Sequence, residues 1–231
     1  MEVKVKKNTY NFSSVKKRTN IKSQLNIKSD DILIARTTRV IFQKRLDRDI
    51  ILVSKLNEMF EESNSKKRVF LVIAGDINED NQCYQNLISL AEKLKVNSYI
   101  KFLGALPHED IKTESDPICI EDLYFSCNLV SFLTSYDYDS YGNPIGEAVS
   151  QQRCYITTSY EYYHEVYGQH GFKAPIMEIS AEQDGLPTKE FIVELYEFLN
   201  NSKEMKRVAE ENFRLGRRFL SSNVTEFFNI K

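Results

Sequence analysis

Tryptophan is absent from this 231-residue chain, histidine occurs three times and cysteine four times. Without tryptophan, the 14 phenylalanines and 13 tyrosines must supply the large apolar side chains of any core. The cysteines (Cys83, Cys119, Cys127 and Cys154) form no CxxC pair, and His108, His164 and His170 are the only imidazoles. A structural zinc site is therefore not expected, and no metal ligands are assigned. Cys83 falls in an expected helix and the other three in apolar surroundings, which is the pattern of reduced core thiols. Residues 1–17 contain no apolar stretch of the kind a secretory signal carries, and no apolar run approaches the roughly twenty residues of a membrane span. These absences lead to the expectation of a soluble, cytoplasmic protein without a transmembrane segment. A large excess of either charge is also missing. The formal net charge is -2, so neither nucleic acid nor an anionic membrane is expected as the main partner. The basic residues Lys4, Lys6, Lys7, Lys16, Lys17 and Arg18 are local, in keeping with a solvated tail, a linker remnant or a weak surface patch. Neither GxGxxG nor GxxxxGK[ST] occurs, which removes the main support for a dinucleotide oxidoreductase or a P-loop ATPase.

What the chain does have is alternation. Residues 31–36 (DILIAR), 68–74 (RVFLVIA), 98–103 (SYIKFL), 128–133 (NLVSFL), 153–157 (RCYIT) and 174–179 read as strands. The second is apolar almost throughout, as suits a strand covered on both faces. Helical spacing marks 47–60, 81–94, 120–125, a segment opened by Pro144, and 160–166; helices at 188–199 and 203 to about 220 follow. Five or six βα units joined by right-handed crossovers specify an α/β fold: a doubly wound, mostly parallel, Rossmann-like sheet. The expected organisation is a polar N-terminal extension or linker remnant at 1–30, a single domain at 31–221 and a tail at 222–231.

In an open parallel sheet, ligands bind beyond the carboxyl ends of the strands. The first strand leads into Thr37, Thr38 and Arg39, then Gln43, Lys44 and Arg45. Cations in that place suit a diphosphate through charge-assisted hydrogen bonds; a solvated basic loop is the equal alternative. Gly75, after the second strand, permits close backbone approach. The fourth strand leads into TSYDYDSYGNPIGE at 134–147. There Gly142 and Asn143, ahead of Pro144 and Ile145, put backbone N–H groups at the positive end of a helix, a natural phosphate site. Glu147 in the same helix is placed to reach a ribose hydroxyl, or is a first-turn acid favoured by the helix dipole alone. Asp137 and Asp139 face either a sugar or solvent. His108 and His164 have no evident partner, so structural or solvent-facing roles are expected of them before acid–base ones.

These residues carry a family likeness. From about 31 to 219 the chain resembles the C-terminal domain of GT-B retaining glycosyltransferases of the glycogen-synthase-like and sucrose-synthase-like group. Thr38-Arg39 with Lys44 looks like the family's "TR…RK" segment, and LVIAG at 71–75, FLG at 102–104 and EDLY at 121–124 follow in the family's order. The stretch DSYGNPIGEA at 139–148 is similar to EGFGNxxxEA, and LGRRF at 215–219 to a closing-helix motif. The resemblance implies a nucleotide diphosphate sugar as donor substrate, no permanently bound cofactor, no essential metal and retention of anomeric configuration. It implies that Arg39 and Lys44 bind the donor pyrophosphate beside the Gly142–Asn143 turn, that Glu147 binds the ribose, and that Asp139 stands where the family has a Glu facing the transferred sugar. Three departures stand out: Asp139 is one methylene shorter than that Glu, the segment 130–143 is about two residues longer so that Asp137 is a second candidate, and Gln43 replaces an Arg. In the family an N-terminal domain holds the acceptor, so the chain is expected to need an acceptor-binding domain or subunit that its own residues do not supply. The rival reading is a non-catalytic nucleotide-sugar-binding or regulatory domain. An epimerase or a sugar phosphorylase ranks lower, since no motif marks a site for an incoming phosphate.

Overall fold

The computed structural model describes residues 8–12, 18, 20–115 and 117–221. Six parallel strands form one sheet in the order β3-β2-β1-β4-β5-β6: β1 (Ile32–Thr37), β2 (Val69–Ala74), β3 (Ile100–Phe102), β4 (Leu129–Phe132), β5 (Cys154–Thr158) and β6 (Ile176–Met177). This is the doubly wound Rossmann order, whose reversal point lies between β1 and β4. Both β1 and β2 are buried along their whole length. Their alternate side chains point to opposite layers. Ile32, Ile34, Val69, Leu71 and Ile73 face one layer, while Leu33, Ala35, Phe70 and Val72 face the other.

The first layer holds α1 (Leu46–Glu62), α2 (Asn81–Lys93) and α6 (Lys189–Asn200). From α1 alone, Ile50, Leu52, Val53, Leu56 and Phe60 are fully buried. Each such side chain contributes about 1.5–3 kcal/mol of transfer free energy. The second layer holds α3 (Ile120–Ser126), α4 (Asn143–Ser150) and α5 (Tyr163–Val166). It is rich in tyrosine: Tyr124, Tyr155, Tyr160, Tyr163 and Tyr167 are all buried there, taking the place that tryptophan leaves. The last helix, α7 (Ser202–Phe219), sends Val208 and Ala209 to the first layer and Leu215 and Phe219 to the second.

The lead-in contributes to the packing. Ile21 and Ile27 are buried in the second layer, and the Lys22 ammonium donates to the Asp31 carbonyl at 2.7 Å and to Asn128 Oδ1 at 3.0 Å. Tyr10 lies over Gly146 and Phe12 over Gly216, where a Cβ would meet their rings at 2.1 and 2.4 Å. Of the basic N-terminal residues, Arg18 bonds Glu109 Oε2 at 2.7 Å; Lys4, Lys6, Lys7, Lys16 and Lys17 lie outside the described residues, as does the tail at 222–231. The four cysteines are buried and unpaired; burial pushes the Cys83 and Cys119 thiols up to about 11 and those of Cys127 and Cys154 to about 12. Among the described residues no helix is long and apolar enough to cross a membrane.

The joints between strands are unequal. β1 pairs with β2 from Ile32↔Val69 to Thr37↔Ala74, and β4 with β5 over four residues. Between β1 and β4 only Ile34↔Leu129 and Ala35↔Val130 are in register. Side chains supplement that joint: Leu33 N donates to Asn128 Oδ1 at 2.9 Å, and the Arg36 guanidinium to the Ser131 carbonyl at 2.9 Å.

Candidate functional site

At the reversal point the loops after β1 and β4 part, and a cleft of about 510 Å³ opens beyond the strand ends. That size lies within the range of small-molecule sites. Its walls include Thr37, Thr38, Arg39 and Lys44 from the first loop, Gly75 after β2, and Asp139, Gly142, Asn143, Pro144 and Glu147 from the β4–α4 segment. A second hollow adjoins it and shares Asn8, His108, Asn143 and Glu147.

Beneath these loops, Arg36 is fully buried near the end of β1, next to Thr37. Its Nη2 donates to the Lys44 carbonyl at 2.7 Å, its Nε lies 3.4 Å from the buried Asp49 carboxylate, and its guanidinium faces the Phe132 ring. Asp49 also accepts from the Ser131 hydroxyl. One cation thus fixes β1, β4, the Lys44 turn and α1 together. Burial lowers the Arg36 pKa against the pull of Asp49, and burial raises that of Asp49 against the pull of Arg36. In the sequence Arg36 stands out only as the last residue of the DILIAR run.

Lys44 reaches across the cleft to Asp139, Nζ to Oδ1 at 2.5 Å, and the Thr134 hydroxyl donates to the other carboxylate oxygen. Burial lowers the Lys44 pKa, with Asp139 opposing. Arg39 is exposed and turned to Glu79, its Nε 2.5 Å from Oε1, with Tyr138 Oη at 3.5 Å from Nη1. A bound anion would compete with Glu79 for that guanidinium. Asp137 is exposed and does not line the cleft, so of the two aspartates the loop brings Asp139 to Lys44. Gln43 is exposed, and its carbonyl accepts from the Ser135 hydroxyl at 2.9 Å.

Glu147 is the fifth residue of α4, whose first turn contains no acid. The dipole reading of Glu147 therefore does not apply, because that effect fades within one turn. Its Oε2 accepts from Tyr124 Oη at 2.6 Å, and Tyr124 Oη is 2.6 Å from Thr37 Oγ1. The phenol has one hydrogen, committed to the carboxylate, so Thr37 must donate to the phenol. The chain Thr37 to Tyr124 to Glu147 aims the carboxylate into the cleft. Burial raises the Glu147 pKa, opposed by the Tyr124 bond and His108.

The α4 N-terminus starts at Gly142 with φ 64°, a left-handed conformation suited to glycine. A Cβ there would also meet Tyr160 Oη at 2.5 Å. Pro144 has no N–H and Ile145 is fully buried with its N–H donated to the Gly142 carbonyl at 2.9 Å. Of the four residues proposed around a phosphate, only the Gly142 and Asn143 amides therefore border the cleft as candidates. The Asn143 side-chain oxygen accepts from Asn8 Nδ2 at 2.7 Å and Tyr10 Oη at 2.9 Å. Gly75 does permit a close approach, but to the chain itself: a Cβ would sit 1.8 Å from the Thr38 carbonyl oxygen.

His108 lines the cleft and, contrary to expectation, has a partner: Nδ1 lies 3.1 Å from Glu121 Oε1, and the Glu109 N–H donates to Oε2 of the same carboxylate at 2.9 Å. The loop folds back on α3 over only 13 residues. His164 is exposed on α5 and does not line the cleft.

A family model described as glycosyl transferases group 1 matches residues 17–211. The chain belongs to that family. No curated protein sequence matches it significantly. Among solved structures, WaaG, a glycosyltransferase involved in lipopolysaccharide biosynthesis, is similar to this group 1 domain with a TM-score of 0.59 and 19% identity, over 84% of this chain and 45% of WaaG. HepE of Anabaena, in complex with UDP-glucose, gives 0.64 and 15% over 87% of this chain and 48% of HepE. TarM gives 0.67 and 12% over 96% and 37%. This group 1 chain spans about half, or less, of the length of each of these structures, and at these identities the likeness establishes the GT-B-type Rossmann-like fold alone.

Proposed function

We propose that this group 1 domain binds a nucleoside diphosphate sugar and forms the donor half of a retaining glycosyltransferase. The observation that carries the reading is the convergence, at the β1/β4 reversal point, of Arg39 and Lys44, the Gly142–Asn143 helix start and the hydrogen-bonded Glu147 carboxylate. Arg39, Lys44 and the Gly142 and Asn143 amides would stabilise charge on the departing diphosphate. Glu147 would accept from ribose hydroxyls, and Asp139 would hold sugar hydroxyls or support developing positive charge. That HepE was solved with UDP-glucose supports a uridine donor as the first to try. No general base is assigned. The acceptor would be held by a further domain, in the same polypeptide or a second one, facing the same cleft.

Calorimetric titration with uridine, guanosine and adenosine diphosphates tests the reading. At least one should bind saturably, and Arg39→Ala and Glu147→Ala should each weaken it about tenfold or more, the usual scale for a hydrogen bond to a charged group. Folded protein that binds none of the three would refute the donor site. A non-catalytic binding role is the second reading, favoured by the engagement of both Asp139 oxygens within the chain. Retained nucleotide binding without sugar transfer, once an acceptor domain is supplied, would select it.

A further inference from the structure

Asp139 and Lys44 neutralise each other across the mouth of the cleft, at 2.5 Å, with side chains only 16% and 12% exposed. Attraction between such charges is screened less than on an open surface. Each is also held from behind. Thr134 donates to the second Asp139 oxygen, the Tyr138 ring lies 4.9 Å from Lys44 Nζ, and Arg36 fixes the Lys44 carbonyl. The neighbouring cation, Arg39, is turned away to Glu79. An anionic ligand that engages Lys44 therefore competes with Asp139 for its charge.

Resting on the donor-site reading above, we propose that Asp139 is a specificity-determining residue that acts through Lys44, favouring a nucleoside diphosphate that carries a sugar over the free nucleoside diphosphate. Once a pyrophosphate takes Lys44, the Asp139 carboxylate keeps the Thr134 hydroxyl but loses its counter-ion, a costly state for a largely buried charge. Sugar hydroxyls on the same pyrophosphate are donors and satisfy the vacated oxygen. A free diphosphate brings only acceptor oxygens and more negative charge, which meets the carboxylate with repulsion. After transfer, Asp139 reclaims Lys44 and favours departure of the diphosphate product. Pyrophosphate binding and sugar binding are thereby coupled, and such coupling is reciprocal.

The test compares wild type, Asp139→Asn and Asp139→Glu by calorimetry with UDP and with UDP-glucose, or with the guanosine or adenosine pair if wild type prefers it. Asparagine can still accept from Thr134 but cannot hold Lys44 by charge. Free UDP should then bind on the order of tenfold tighter than to wild type, a common size for coupling between sites. UDP-glucose should gain nothing, so the affinity ratio between the two falls toward one. Asp139→Glu keeps the charge and should keep the ratio. Asp139→Ser is a second neutral replacement with the same expected outcome, should thermal unfolding show that the asparagine variant is misfolded. UDP binding that is unchanged or weaker in the neutral variants, with the ratio preserved, overturns the inference while leaving the donor site intact. Wild-type protein that binds neither ligand overturns the donor-site reading and this inference with it.

Discussion

The Tyr124 phenol holds the Glu147 carboxylate, whose burial has a cost that pH can reveal. Burial raises the Glu147 carboxyl above its ordinary 4.5, so the folded state holds this proton more tightly than the unfolded one. The stability linked to that proton is complete below the unfolded value and is lost as pH rises through the folded value. At neutral pH the buried carboxylate therefore destabilises the fold. Glu147→Gln, which keeps an oxygen for Tyr124, should unfold at a higher temperature than wild type at pH 7, and the difference should shrink toward zero below about pH 4. The same variant should bind nucleoside diphosphate more weakly, which calorimetry would show. Glu147 was legible in the sequence because a motif marks it. Tyr124 and Thr37 were not legible as its partners: they lie on separate elements, 23 and 110 residues from Glu147 in sequence, and only the packed sheet places them in line.

At the scale of elements, Arg36 and Asp49 join β1 to α1 inside the protein, and their charges are matched rather than solvated. Removing one partner from such a pair leaves an uncompensated buried charge. Arg36→Met should lower unfolding stability by about 3–5 kcal/mol, whereas Arg36→Met with Asp49→Leu should recover much of that loss. Urea denaturation of both single variants and the double variant would measure the coupling. The strands and long helices themselves could be read from apolar runs and helical spacing, with ends displaced by a residue or two where flanking Asp31, Arg68 and Arg153 extend the apolar runs beyond the strands. The weaker elements show what periodicity misses. The stretch at 174–179 reads as six strand residues, but it sits at the sheet edge and pairs only as Ile176–Met177. The stretch at 160–166 has helical spacing because Tyr160 and Tyr163 fill one core with Val166 packed against it, although just Tyr163–Val166 is helical.

For the whole molecule, the doubly wound order opens a cleft beyond the first and fourth strands, where the strand pattern implies one. Arg39, Lys44, Asp139, Gly142 and Glu147 line it, carried there by the loops after β1 and β4. The ion pair of Lys44 with Asp139 lay beyond reach, as it closes a span of 95 residues and depends on how the two loops lean together. The inward role of residues 20–27 was likewise hidden by their polar neighbours, although Ile21 and Ile27 are buried. The order of the strands also gives the sheet a seam. β1 pairs with β2 over six residues and β4 with β5 over four, but β1 and β4 meet in register at only two residue pairs, as few as β5 and β6 at the sheet edge. A ligand gripping both Lys44 and the Gly142–Glu147 turn would act as a staple across that seam, adding to its short backbone ladder. Amide hydrogen exchange should show it: with saturating nucleoside diphosphate, Val130 and its β1 neighbours should slow more than the β1–β2 ladder, because local opening is suppressed where the ligand bridges. Uniform slowing across all six strands, or none along β1 and β4, would mean that the halves already move as one. On the donor-site reading, the carboxyl-end cleft is a mechanical joint as well as a binding site, and its occupant a structural member of the sheet for as long as it stays.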